Sequence, residues 1–510
     1  MVPNESRVAT VHNATIGAAQ LLTTLPRPLK LQLRKVIELT SVLTVDLGAL
    51  GISVALAYFA RVFILPWLSG AFPPELPPNL PERLWWLPAV FLGAIVYEGL
   101  YTKRYSFWRE CGLLIKAATL AFLVSLSIVT LAKTGGEVSR TLVVLIWFFS
   151  LVMLPAFRYT GKNLLARAGI WEKKVLVLGA GRTGELVMQA LDREPYMGYR
   201  VVGLLDDDPE KKYRIFTVNG GARVKVLGGF RDSDNVMAET GVYNVIVAAP
   251  GLAGNVLVGL VNRLQRVCDS VIVVPDLFGL PVMGVEASYF FDDRFLALRL
   301  KNNLASRTNI FLKRAFDLTA GAVVLLLLLP VMAAIALAVK LDSPGPAVFA
   351  HRRIGRGGRE FMCYKFRTMV VDAQEVLDKL LKENPVFREE WERDFKLKDD
   401  PRITRVGRFL RKTSLDELPQ IFNVIKGEMS LAGPRPIVRK EIEKYKENIK
   451  YFYQVRPGLT GLWQISGRNE IEYDERVQLD AWYVRNWSLW LDITLLLRTV
   501  AVVTARKGAY

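Results

Sequence analysis

Histidine is nearly missing from this chain: only His12 and His351 occur in 510 residues, far apart. A histidine-rich metal centre and a triad built on histidine are thereby excluded, so catalysis has to rest on other groups. Cysteine is almost as scarce. Cys111, Cys268 and Cys363 are odd in number, scattered and never in CxxC spacing, which excludes a disulfide framework and a zinc site and fits a reducing cytoplasm. The first thirty residues lack a basic stretch followed by an apolar core and a small-residue cleavage site, so no removable signal peptide is expected. Repeats, low-complexity tracts and any nucleic-acid-binding signature are also lacking, and no nucleic-acid partner is expected.

What is abundant is apolar surface and positive charge. The chain is 51% hydrophobic with a formal charge of +18, and its mean hydropathy is +0.23. A wholly soluble protein does not fit that composition, and the charge suits an anionic membrane surface or phosphorylated substrates. Four apolar segments, 43–68, 84–100, 113–131 and 142–157, are each near the ~20 residues needed to cross a bilayer. Arg27, Lys30, Arg34 and Lys35 precede the first, Lys103, Arg104 and Arg109 lie between the second and third, and Arg158, Lys162 and Arg167 follow the fourth. The connection 69–82 has no Lys or Arg, so the positive-inside rule puts both ends of a four-span bundle in the cytoplasm.

From Lys174 the pattern alternates between apolar strands and helices, with strands expected at 175–178, 201–205, 245–248 and 271–274. Between the first strand and its helix lie Gly179, Gly181 and Gly184 in G-x-G-x-x-G spacing, and Asp206 closes the second strand. These match a dinucleotide-binding fingerprint, in which glycines let a pyrophosphate approach the backbone and the acid holds a ribose. A Rossmann-like domain kept only for packing or regulation accounts for the same residues.

A fifth apolar segment, 318–339, has Lys313 and Arg314 before it and Lys340, Arg352, Arg353 and Arg356 after it, so both flanks prefer the cytoplasm. Pro330 inside it removes a helical hydrogen bond. A helix broken at Pro330 that dips into one leaflet and returns satisfies both observations. Farther on, Trp482, Trp487 and Trp490 either lie at a headgroup interface or fill an ordinary core.

The chemistry concentrates at Thr413–Asn423. Leu418, Ile421, Phe422 and Ile425 recur at helical spacing, so a helix begins beside the adjacent carboxylates Asp416 and Glu417. Ser414 and Glu417 also read as an S-x-x-E capping box, with Pro419 arguing for a start nearer Glu417. A carboxylate so placed can serve as nucleophile or metal ligand. Around the pair stand Lys365, Arg367, a cluster from Arg402 to Lys412, Arg435 in Gly433–Pro436, Arg456 before Pro457-Gly458, and Arg468 in Ser466–Asn469. The 402–412 cluster is either a solvated or lipid-facing surface or part of a phosphate site. Arginines fixed beside Gly and Pro suit bidentate phosphate binding.

From Lys313 onward the chain resembles the bacterial sugar transferase family, the monotopic phosphoglycosyl transferases. The resemblance is carried by Lys313-Arg314-Ala315-Phe316-Asp317, Tyr364-Lys365-Phe366-Arg367-Thr368-Met369, Ser414-Leu415-Asp416-Glu417-Leu418-Pro419-Gln420, Gly433-Pro434-Arg435-Pro436 and Arg456-Pro457-Gly458-Leu459-Thr460-Gly461. With the spans and the middle domain, the whole chain resembles the family's long form. The resemblance implies a membrane α plus α/β fold: a cytoplasmic tail 1–35, a transmembrane bundle 36–160, a Rossmann-like domain 172–300, and a catalytic α/β domain 310–510 with a re-entrant helix 318–339. It implies transfer of a hexose 1-phosphate, galactose or glucose, from a UDP-sugar to undecaprenyl phosphate with release of UMP, at the inner membrane and early in polysaccharide assembly. Asp416 is implied as nucleophile and Glu417 as ligand of Mg²⁺. Lys365, Arg367, Arg435, Arg456, Gln464 and Arg468 are implied as substrate-binding, membrane lipids as neighbours and a homodimer as the assembly. Many members carry Ser-Pro at the helix break where this chain has Leu329-Pro330. Two other readings compete: a membrane nucleotide-sugar dehydratase or epimerase, for which the usual Tyr-x-x-x-Lys pair is missing, and a non-catalytic scaffold of polysaccharide assembly.

Overall fold

The computed structural model describes residues 26–72, 84–131, 139–217, 223–277, 280, 285–290, 295–300, 303–383, 387–388, 397, 400–466 and 471–504. The chain forms two compact units, Met1–Asp276 and Leu277–Tyr510.

In the first unit, helix α1 (Arg27–Phe59) continues through a π-helical turn to Leu68. Helices α2 (Leu87–Tyr97), α3 (Phe107–Leu131) and α4 (Arg140–Arg167) follow. The first, third and fourth expected spans are therefore helices long and apolar enough to cross a bilayer. The second differs: α2 has 11 residues, a rise of ~16 Å against the ~30 Å of hydrocarbon. Leu50, Leu87, Phe91, Leu114 and Ile146 fill the core of the bundle.

Two of the basic residues counted for topology are not at a water surface. Arg158 is fully buried and binds Asp46 with both arms, Nε to Oδ1 at 2.7 Å and a terminal nitrogen to Oδ2 at 2.6 Å. Its other terminal nitrogen reaches Glu110, which also holds Lys162 at 2.7 Å. Two acids and two bases thus neutralise each other, which is how charges persist in an apolar bundle.

The chain then enters a six-stranded sheet in the order β3-β4-β2-β1-β5-β6. Its strands are β1 (Lys173–Leu178), β2 (Tyr199–Leu205), β3 (Ile215–Thr217), β4 (Arg223–Gly228), β5 (Asn244–Val247) and β6 (Ser270–Val273). Helices α5 (Arg182–Arg193), α6 (Ser233–Thr240) and α7 (Gly254–Val267) connect them. The four expected strands are all present and parallel, and the β3-β4 pair was not foreseen. Arg34 of α1 donates to the Glu172 carbonyl, and Arg104 donates to the Met197 carbonyl at 3.0 Å and lies 4.0 Å over Trp171. The start of α1, the α2–α3 connection and the end of α4 therefore all lie on the sheet's side of the bundle.

The second unit opens with the hairpin β7 (Glu286–Phe290) and β8 (Phe295–Arg299) and the 36-residue helix α8 (Arg307–Asp342). Pro330 lies inside this one continuous helix, so the expected break does not interrupt it. Val324, Leu328, Met332, Ile335 and Val339 recur at three- and four-residue intervals and pack with Phe361, Ile421 and Val424. Val323, Leu326, Leu327 and Leu337 on the other side are exposed. Both ends are fastened to the same domain. Arg314 donates to the carbonyls of Val424 and Ile425 at 2.7 and 2.9 Å, and Asp342 accepts from the backbone N–H of Val406 at 3.0 Å.

After α8 come the antiparallel pair β9 (Val348–Ile354) and β10 (Glu360–Phe366), then helices α9 (Ala373–Glu383), α10 (Arg405–Thr413) and α11 (Gln420–Lys426). Short parallel strands β11 (Ser430–Ala432) and β12 (Gly458–Thr460) and helices α12 (Tyr473–Arg485) and α13 (Leu489–Thr504) complete the unit. Trp487 is a core residue, 2% exposed, and its indole N–H donates to Asp492 at 3.0 Å, so the interface reading does not hold for it. Lys313 of the first motif is likewise structural, buried against Asp492 at 2.7 Å.

Candidate active site

Asp416 and Glu417 stand in the turn between α10 and α11. The capping box expected from Ser414 is not formed: Ser414 ends α10 in the left-handed region, φ 59°, and makes no side-chain cap. A 3-10 turn, Leu415–Glu417, follows, and Pro419 occupies the cap position of α11, where its missing N–H costs nothing.

The turn is held against β10 by Asn423, whose side chain is completely buried. Its amide donates to the Met362 carbonyl at 2.8 Å and to Glu428 at 2.6 Å, and its Oδ1 accepts from the N–H of Tyr364 at 3.1 Å. The next residue on β10, Lys365, reaches Glu417 Oε1 at 2.6 Å and Asp416 Oδ2 at 3.9 Å. The side chains of Asp416 and Glu417 are 14% and 29% exposed. Their acidities diverge. Burial raises Asp416, with Lys365 opposing and the adjacent Glu417 reinforcing. Burial also pushes Glu417 upward, but Lys365, Arg435 and Arg353 together outweigh it and hold Glu417 below the usual value.

Glu417 opens onto a cleft also lined by Arg353, Cys363, Lys365, Gln420, Arg435 and Gln464. Burial pushes the Cys363 thiol up to about 11, which leaves it a protonated wall residue. Of the residues expected to bind substrate, Lys365, Arg435 and Gln464 meet here. Two do not. Arg367 is 7% exposed and donates to the Ser343 carbonyl at 2.7 Å and its hydroxyl at 2.9 Å, tying down the end of α8. Arg456 donates to the Gly427 carbonyl at 2.6 Å beyond the end of α11. Both guanidiniums meet backbone oxygens left free at helix ends, a structural use that spacing in the sequence does not distinguish from phosphate binding. Arg468 lies outside the described residues.

The 402–412 cluster divides. Arg402 is buried against Asp400 at 2.6 Å, whereas Arg405, Arg408 and Lys412 are at least partly exposed, as is Phe409 beside them. Arg411 donates to Thr368 at 2.9 Å, and its charge acts on Asp416. Arg353 and Gln420 were not foreseen as cleft residues. Gln420 closes the carboxylate motif, but only the β9-β10 pairing brings Arg353 in.

Among the described residues there is no group of three or more His, Cys, Asp or Glu side chains able to cage a metal. The oxygen-only pair Asp416 and Glu417 nevertheless fits Mg²⁺, which usually takes one or two carboxylates and fills its remaining positions with water and substrate phosphate.

In the middle domain, Gly179 has φ +110°, and a Cβ there would meet the Ala248 carbonyl at 2.5 Å. A Cβ on Gly184 would meet the Gly179 carbonyl at 2.0 Å, while Gly181 faces open space. Two of the three glycines are thus required by packing alone. Asp206 accepts from the N–H of Ala180 at 2.7 Å and pairs with Lys211 at 3.4 Å, so the acid expected at a ribose is engaged within the domain.

A family model described as "Bacterial sugar transferase" matches residues 308–506, and one described as "CoA-binding domain" matches 97–275. The undecaprenyl-phosphate galactose phosphotransferase of Salmonella typhimurium is 43% identical over 413 residues, 80% of this chain and 84% of that protein. The chain belongs to the bacterial sugar transferase family. The transferase is also 42% identical to the UDP-galactose-lipid carrier transferase of Erwinia amylovora, over 80% of this chain and 84% of that one. To the UDP-glucose:undecaprenyl-phosphate glucose-1-phosphate transferase of Escherichia coli it is 31% identical, over 81% and 87%. Each similarity covers about four fifths of this chain and so extends well beyond the matched transferase domain.

Proposed function

We propose that the protein transfers a hexose 1-phosphate, galactose or glucose, from a UDP-sugar to undecaprenyl phosphate, as the first step in the synthesis of an exopolysaccharide, capsule or O-antigen. The observation that carries this reading is the adjacent pair Asp416 and Glu417, driven to opposite acidities beside one lysine, with Glu417 opening onto an arginine-lined cleft. Two carboxylates with separated acidities divide two roles between them.

Asp416, the less exposed and more basic of the pair, is the nucleophile. Its carboxylate oxygen bonds to the β-phosphorus while the bond from that phosphorus to the bridging oxygen breaks, and UMP leaves with the electron pair. A phosphate oxygen of undecaprenyl phosphate then attacks the same phosphorus and expels the Asp416 carboxylate, giving the lipid diphosphosugar and the free enzyme. Lys365 and Arg435 spread positive charge over the phosphates, which a bare carboxylate would otherwise approach against repulsion. Glu417 would hold Mg²⁺, which when bound supplies further charge neutralisation to the diphosphate.

Helix α8 is read as entering one leaflet and returning through a bend at Pro330 that leaves the helix uninterrupted. Arg314 and Asp342, near its two ends, bond to the same domain, and a full crossing of ~30 Å of hydrocarbon would drag that domain's polar surface into lipid. The lipid-facing side chains are Val323, Leu326, Leu327 and Leu337. The positive-inside pattern of the bundle supports a cytoplasmic catalytic face.

The decisive experiment incubates the purified protein with undecaprenyl phosphate and a panel of UDP-sugars and follows UMP. Release with one UDP-hexose, sustained only when the lipid is present, is expected. No UMP from any member of the panel would overturn the reading.

A further inference from the structure

We propose that Arg353 binds the nucleotide-side phosphate of the donor, the one that departs in UMP. This rests on the donor chemistry proposed above and assigns one end of that donor to a residue outside the family motifs quoted earlier.

The pairing of β9 with β10 sets Arg353 opposite Phe361, His351 opposite Cys363 and Phe349 opposite Lys365. Directly opposed residues of an antiparallel pair project from the same face, and so do alternate residues along each strand. Arg353 and Lys365 therefore rise from one face of the hairpin, their strand positions about 13 Å apart. Lys365 stands at the Asp416 end. Arg353 stands at the other, where Glu441 is its neighbour. Both long side chains converge on the cleft that contains Glu417 and Arg435.

Among the described residues, the two cleft arginines, Arg353 and Arg435, are not tied up by hydrogen bonds as five other arginines of the domain are. Arg314, Arg367, Arg402, Arg411 and Arg456 each donate a hydrogen bond to a carbonyl, hydroxyl or carboxylate. Arg353 makes none with the described residues, and its side chain is only 20% exposed. Its nearest acid, Glu441, lies 3.9 Å away, and the same Oε2 already accepts from the N–H of Val438 at 2.8 Å. Burial first, and then the like charge of Arg435, weigh against the protonated guanidinium, with Glu441 opposing them.

A planar cation held in a cleft beside two others, and short of acceptors, is matched by the paired oxygens of a phosphate. A donor with its β-phosphorus at Asp416 and its second phosphate in the cleft beside Glu417 would bring that phosphate within reach of Arg353. There the guanidinium would stabilise the negative charge that grows as the bridging oxygen leaves.

The test uses the full-length protein in detergent and UMP as the probe. Arg353→Gln is expected to weaken inhibition by UMP about 10- to 100-fold and to raise the KM for the UDP-sugar, with Arg353→Lys recovering part of the loss. Glu441→Gln is expected to leave UMP inhibition as strong as in the parent. An Arg353→Gln protein that melts like the parent and binds UMP as tightly overturns the assignment. So does a Glu441→Gln protein with the same loss, because the arginine would then act through its ion pair. Should Arg353→Gln fail to fold, Arg353→Lys decides: a several-fold weaker UMP inhibition supports the assignment and an unchanged one overturns it. A parent protein that releases no UMP from any UDP-sugar sinks the donor chemistry itself, and this assignment with it.

Discussion

The backbone N–H of Tyr364 donates to Oδ1 of Asn423 at 3.1 Å, joining the strand that carries Lys365 to the helix that follows the carboxylate pair. With its amide also bonded to Met362 and Glu428, Asn423 sets the distance between Lys365 and Glu417. Asn423→Ala strands buried donors and acceptors on three neighbours. It should destabilise the domain by about 2–4 kcal/mol and lower turnover, as read by denaturation in detergent and by UMP release. A variant as stable and active as the parent would show that the junction is held by other contacts.

Asp416→Asn replaces the proposed nucleophile with an amide of nearly the same shape. Turnover should vanish, and mass spectrometry of quenched protein should no longer find a sugar phosphate on the peptide containing residue 416. Undiminished product formation would remove Asp416 from its role.

Chelation addresses Glu417. EDTA should stop UMP release and added Mg²⁺ should restore it, since the described carboxylates supply too few ligands to retain the ion without substrate. Indifference to EDTA would defeat the metal assignment.

The path of α8 can be read from the two sides of the membrane. Single cysteines placed just before Leu318 and just after Val339 should both react with an impermeant reagent from the cytoplasmic side alone. Labelling from opposite sides would establish a crossing.

Asp480 supplies a pH dependence. It is 2% exposed and accepts from the Tyr445 hydroxyl at 2.7 Å. Burial lifts it from 3.8 to about 7, with the Tyr445 hydrogen bond and Arg435 opposing. Its charge is also felt by Tyr473 and Tyr483. The folded protein therefore holds a proton that the unfolded chain has lost between those two values. The stability from this group is complete below the lower value and is lost as pH rises through the upper one. Asp480→Asn should remove that loss, gaining on the order of 4 kcal/mol over the parent by pH 8 relative to pH 4. Parallel melting curves for the two proteins across that range would refute it.

The strands of the α/β domain were legible because Val, Ile and Leu runs alternate with helical periods there. The carboxylate pair was legible for another reason: adjacent acids beside Pro419 and helical apolar spacing form a local pattern. What remained hidden depends on pairing across distance. Nothing in the spacing of Arg353 shows that β9 folds back on β10, or that Arg367 turns away to the Ser343 carbonyl. Arg158 and Lys162 read as water-facing because their partners Asp46 and Glu110 lie far away in the chain. Pro330 read as a break because sequence carries the lost hydrogen bond but not the packing of Met332 and Val339 that keeps the helix continuous.

The fastening of α8 at Arg314 and Asp342 also has a mechanical meaning. Arg314 grips α11 and Asp342 grips α10, and the short turn bearing Asp416 is all that separates those two helices in the chain. A force that flexes α8 is thus delivered to both sides of the turn that carries Asp416. Cutting α8 away to obtain a shorter fragment would strip Phe361, Ile421 and Val424 of their packing partners, so its removal amounts to partial unfolding of the domain.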